Sequence, residues 1–152
     1  MEKDRKIPVN VRISGFHLSE GEDSKILDDH EGYLSQRGDS LFIVYESPEK
    51  IKTVIKILPL RVEVKRKIIG DKEKKNENEG LALISDISYE KGKTVKGFYL
   101  TPYGRLETET DTEEIVTEES EKFFKCHIEG RLKMNGSHVS DFNLEIAAAV
   151  II

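Results

Sequence analysis

The sequence of 152 residues contains no tryptophan, one cysteine and four prolines, and no long uninterrupted apolar run. One cysteine, Cys126, cannot form an intramolecular disulfide, so any stability must come from a core. A chain of this length can build one as a single domain, with its unit taken as residues 1–152. No apolar stretch follows "MEKDRKIPV", and none elsewhere is long enough to span a bilayer, so neither a signal peptide nor a membrane partner is expected. A reducing cytoplasm is the expected setting. The net charge of −5 disfavours nucleic acid as a partner, because phosphate binding needs a concentrated basic face.

What is present is alternation. "IPVNVRI" sets Ile7, Val9, Val11 and Ile13 against Pro8, Asn10 and Arg12. "IKTVIKI" offers Ile51, Thr53, Ile55 and Ile57 on one side, and "KCHIEGRLKM" offers Cys126, Ile128, Gly130, Leu132 and Met134. A period of two over such lengths predicts half-buried antiparallel strands with the apolar face inward. Turn chemistry agrees. "RGD" at Arg37–Asp39 and "NG" at Asn135-Gly136 separate alternating runs, and "SPEK" and "LPL" supply further breaks. "NGS" at Asn135–Ser137 fits a glycosylation pattern, but without a secretory signal it reads as a turn. The polar block "GDKEKKNENEG", residues 70–80, reads as a mobile hairpin loop.

One segment supports two readings. "TETDTEEIVTEESEK" has a capping-box-like Thr110…Glu113 and many helix formers. Its alternation of Leu106, Thr108, Thr110 and Thr112 against acidic residues favours a long strand ending near Val116. The fold class that results is all-β: one antiparallel barrel of about eight or more strands, or a sandwich, with closure removing exposed edges.

Two stretches, "EGYLSQRGDSLFIVYE" and "YEKGKTVKGFYLTPYGRLETET", carry an ordered series: Gly32-Tyr33, Tyr45-Glu46, Arg66, Gly92, Tyr99-x-Thr101 and Gly104. The series resembles the YwiB-like family of bacterial proteins, a domain family of unknown function, from about residue 7 to about 146. The resemblance implies a calycin-like, lipocalin-like barrel in a cytoplasmic bacterial protein and implies no activity. The lipocalin signature itself is missing along with tryptophan. The chain departs from the family around residues 67–80, where a glycine expected soon after Arg66 comes only at Gly70, before a charged insertion.

Within "VEVKRKI", Arg66 shares its face with Val62, Val64 and Ile68, which aims a permanent charge at the interior. An unpaired buried guanidinium is costly, so it needs a carboxylate or a ligand anion. Three outcomes stand open. Arg66 lies at the barrel mouth with its head in water, or it is a core arginine satisfied by Glu46 and backbone carbonyls. In the third, it anchors a ligand in a polar patch with Tyr99, Thr101 and Tyr45. The third makes the chain a binding protein for a small amphipathic, hydrophobic or anionic ligand. The alternative is an interaction barrel with a filled core.

Other residues point away from catalysis. His17, His30, His127 and His138 are scattered without metal-arm spacing, so no metal site is expected. His138 shares parity with Phe142, Leu144 and Ile146, as an inward core histidine would. Cys126 reads as a small buried hydrophobe. The acidic runs "EGEDSKILDDHE" and "TETDTEEIVTEESE" lack calcium-loop spacing and read as solvated faces and turns. No catalytic residue, cofactor or phosphate-cradling loop is expected. The apolar tail "EIAAAVII" calls for burial, either against the barrel bottom or in a homo-oligomer contact.

Overall fold

The computed structural model describes residues 5–16, 25–69 and 83–151. The loop expected over 70–80 therefore lies outside the described residues, as do His17 and the side chain of His138. Ten strands form: β1 Ile7–Phe16, β2 Lys25–Arg37, β3 Ser40–Glu46, β4 Ile51–Leu58, β5 Arg61–Ile68, β6 Leu83–Glu90, β7 Thr94–Thr101, β8 Gly104–Glu119, β9 Phe123–Met134 and β10 Ser137–Val150. Each pairs antiparallel with its sequence neighbour, and β1 pairs with β10 to close the ring. Among the described residues there is no helix.

The contested segment is strand. β8 runs to Glu119, three residues past the expected end, because its inward residues keep finding partners on β9: Thr110 faces Leu132, Ile115 faces Ile128 and Thr117 faces Cys126. A bulge between Thr112 and Glu114 resets the parity, so that Ile115 continues the inward face begun by the threonines. The Asn135-Gly136 turn takes positive φ at both residues, 50° and 85°, as the twist of the flanking strands requires.

Alternation sorts the residues as the sequence predicts. Val9, Val11, Ile43, Ile55, Val62, Cys126, Ile128 and Ile146 are fully buried and form one cluster. Across the interior, Tyr89 of β6 and Phe142 of β10 meet edge to face at 5.6 Å. Four strand-to-strand steps separate β6 from β10 around the shorter arc, so the barrel is filled at this level. The tail is the end of β10: Ala148 is buried and Val150 reaches the barrel end.

The inward face changes character along its length. Leu41, Ile43, Ile55, Ile57 and Val62 occupy the end at which β3 begins. At the other end, where β1 finishes and β2 starts, the inward residues of β3 to β6 are Tyr45, Thr53, Arg66 and Ser85. The register sets these four side by side: Tyr45 opposite Thr53, Thr53 opposite Arg66, Arg66 opposite Ser85.

Candidate functional site at the polar end of the barrel

Arg66 points inward, as its parity in "VEVKRKI" predicts. Its Nη2 donates to Oδ2 of Asp28 on β2 at 3.0 Å. The same oxygen accepts the hydroxyl of Tyr45 at 2.5 Å. His30, two residues along β2, stacks on the Tyr45 ring with centroids 5.3 Å apart and places Nε2 3.8 Å from Oδ1 of Asp28. Cation, carboxylate, phenol and imidazole thus meet in one cluster. The Asp28 side chain is 17% exposed and that of Arg66 34%, so the ion pair lies in the mouth with the guanidinium partly open to water.

Gly32 makes this cluster possible. It lies opposite Tyr45, and a Cβ there would come within 2.3 Å of the Val44 carbonyl oxygen and 2.8 Å of the Tyr45 Cβ. Without a side chain at Gly32, β2 and β3 approach closely and the tyrosine ring lies over β2 toward Asp28.

The electrostatics follow from this packing. Burial, then the hydrogen bond to Asp28, drives the Tyr45 phenol well above its usual range, with the charge of Arg66 pulling the other way. Burial likewise pushes Tyr89 up to about 12, again opposed by the charge of Arg66. Both phenols therefore stay protonated, and that of Tyr45 donates to Asp28. Cys126 is fully buried and its thiol is pushed up to about 12, so it is an inert core residue. Among the described residues no group of three or more histidine, cysteine or acidic side chains is arranged to hold a metal.

Of the residues singled out in the sequence, Arg66 and Tyr45 come together on Asp28. Tyr99 lies in the same lateral row, opposite Ser85, and is 44% exposed at the rim. Thr101 is committed to its own turn: its hydroxyl donates to the Gly104 carbonyl at 2.9 Å and accepts the Tyr103 N–H at 3.1 Å. Glu46 is exposed on the outer wall opposite Lys52, so the acid that meets Arg66 is Asp28 rather than Glu46. Strand alternation decides this, since Tyr45 faces in and its neighbour must face out.

Asp28 and His30 were read in the sequence as part of a solvated acidic run. The signal that marks them is a second alternation: Asp28, His30, Gly32 and Leu34 occupy one face of β2 opposite Ile13, Val11, Val9 and Ile7. Two consecutive aspartates hide it, because only one of them faces in.

At the opposite end, a recess of about 420 Å³ opens between Ile7, Leu34, Leu41, Phe124 and Val150, with Arg5 and Glu119 among its polar lining.

Fold and site together define a closed, ten-stranded up-and-down barrel with a filled middle and a polar cluster in one mouth. The chain belongs to the family described as Domain of unknown function (DUF1934), whose profile matches residues 11–146. Among solved structures it is similar to the crystal structure of ywiB protein from Bacillus subtilis, with a TM-score of 0.68 at 18% identity, over 97% of this chain and 94% of that one. At that identity the likeness speaks to the fold. No curated protein matches the sequence.

Proposed function

We propose that the protein is a non-enzymatic, calycin-like binding barrel that takes a small anionic ligand, carrying a carboxylate or phosphate, at its polar end. Arg66 is the anchor, Asp28 its resident counter-ion and the Tyr99 hydroxyl a neighbouring donor, with the Tyr45 hydroxyl joining when the ligand's anion takes the place of Asp28. The observation that carries this reading is an inward arginine whose side chain stays 34% exposed in the barrel mouth, beside a carboxylate that it shares with Tyr45. An incoming anion can exchange with or add to Asp28 without stripping water from a fully buried charge. The filled middle restricts the ligand to its head group and a short apolar part. A cytoplasmic setting without cofactor, membrane or nucleic acid belongs to the same reading.

The experiment is the thermal midpoint of wild type and Arg66→Met with a panel of short fatty acids, phosphate and phosphorylated small molecules. A ligand at 100 times its dissociation constant adds about 2.7 kcal/mol, several degrees for a chain of this size. A shift in wild type that is absent in Arg66→Met is the expected result. No shift in either protein, with the variant as stable as wild type, rejects the anchor. That outcome favours the second reading, an interaction barrel with a filled core, which the Tyr89–Phe142 contact across the interior supports.

A further inference from the structure

The outer wall of β2 to β5 gathers Lys52, Lys56, Lys65 and Lys67 around an apolar centre, with Glu31, Glu46 and Glu63 among them. The register sets Tyr33 opposite Val44 and Val44 opposite Val54, an apolar row on the outside of the barrel. Tyr33 is 51% exposed. One row nearer the β2–β3 turn, Phe42 also faces out, with the Arg37 guanidinium and the Lys56 ammonium over its ring at 5.6 and 5.8 Å. On the other side of the apolar row, Lys52 and Lys67 stand directly opposite one another across β4 and β5. Like charges facing each other across a strand pair oppose sheet formation. No carboxylate comes within ion-pair distance of Lys52, Lys65 or Lys67 among the described residues, although Glu46 and Asp86 are their cross-strand neighbours.

We infer that this wall is a docking surface for a different protein, one presenting apolar side chains within an acidic rim. An apolar centre ringed by charge is the usual anatomy of a protein interface. The partner follows from charge complementarity. A two-fold-related copy would bring two such walls together and double their cations, Lys52, Lys56, Lys65 and Lys67 on each, which disfavours a symmetric dimer in every register except one that seats Lys52 or Lys67 on the copy's Glu46. Nucleic acid is the less favoured occupant, because aliphatic Val44 and Val54 at the centre offer no stacking platform and Phe42 is already covered by two cations. The facing lysines are then a local cost to the sheet that a rim of carboxylates relieves.

The test uses the full chain and a synthetic peptide of alternating glutamate and leucine, with a glutamine-for-glutamate peptide and oligo-thymidine as comparisons. The variant Lys67→Glu replaces a repulsive cross-strand pair by an attractive one, so it keeps the fold and raises the thermal midpoint by about 1–3 °C. The expected result is salt-sensitive binding of the acidic peptide, with NMR shift changes at Tyr33, Val44 and Val54. Binding weakens about tenfold in Lys67→Glu and in Val54→Ser. Binding that Lys67→Glu leaves unchanged, equal binding of the glutamine peptide, or tighter binding of oligo-thymidine overturns the proposal. So does the absence of any peptide binding, or a dimer that buries the same wall.

Discussion

Arg66 of β5 and Asp28 of β2 form an ion pair at 3.0 Å that bridges over the two strands lying between them, β3 and β4. The contact ties one part of the ring to another that no backbone ladder joins directly. It also makes Asp28 the hub of the polar end, since Tyr45 donates to the same carboxylate oxygen.

Removing the hub therefore costs more than removing either donor. In Asp28→Ala, the Arg66 head and the Tyr45 hydroxyl both lose their acceptor, and stability falls by about 1–3 kcal/mol. Arg66→Met leaves Tyr45 paired and keeps the aliphatic stem, so its loss stays below about 1 kcal/mol. The double variant recovers part of the Asp28→Ala loss. Urea midpoints of the four proteins measure the coupling, and simple additivity of the two single changes would mean that the pair contributes nothing.

Gly32→Ala puts a methyl group against the Val44 carbonyl and the Tyr45 Cβ, at 2.3 and 2.8 Å before relaxation. Backbone must move, with an expected loss of about 2–3 kcal/mol. Because the chain has no tryptophan, near-ultraviolet circular dichroism reports mainly its tyrosines, Tyr45 among them. A lower denaturation midpoint together with a changed tyrosine signal is expected. An unchanged spectrum would show that Tyr45 does not depend on the gap at Gly32.

The alkaline limit of stability follows from three groups that bind their protons more tightly folded than unfolded. Cys126 rises from 9.0 to about 12, Tyr89 from 10.0 to about 12, and Tyr45 rises further. A raised value stabilises the fold below the unfolded pKa, and that contribution is lost as pH climbs toward the folded one. The thermal midpoint should therefore hold below about pH 9 and fall from there upward, with the thiol responding first and the phenols from about pH 10. Cys126→Ala moves the onset up toward the phenol range, at the expense of a small core void. A midpoint that stays level from about pH 8 to about pH 11 would contradict the assignment.

The sequence by itself determined the strands, several of their turns and the parity of Arg66. These depend on neighbours two residues apart and on local turn chemistry, both of which are legible in one dimension. It also placed Cys126 in the core and set the threonines of β8 on one face of a strand, the face that the structure turns inward, where Thr108, Thr110 and Thr112 are each 1% exposed. Parity could not assign Glu46, because "SLFIVYE" is apolar on both faces. Leu41, Ile43 and Tyr45 look into the barrel, while Phe42 and Val44 look out at Arg37, Lys56 and Tyr33. Nor could parity show which residues meet across the interior. Ring closure decided that Arg66 reaches Asp28 and that Tyr89 touches Phe142. These contacts join strands far apart around the ring, and only the curvature of the closed sheet sets the distance between them.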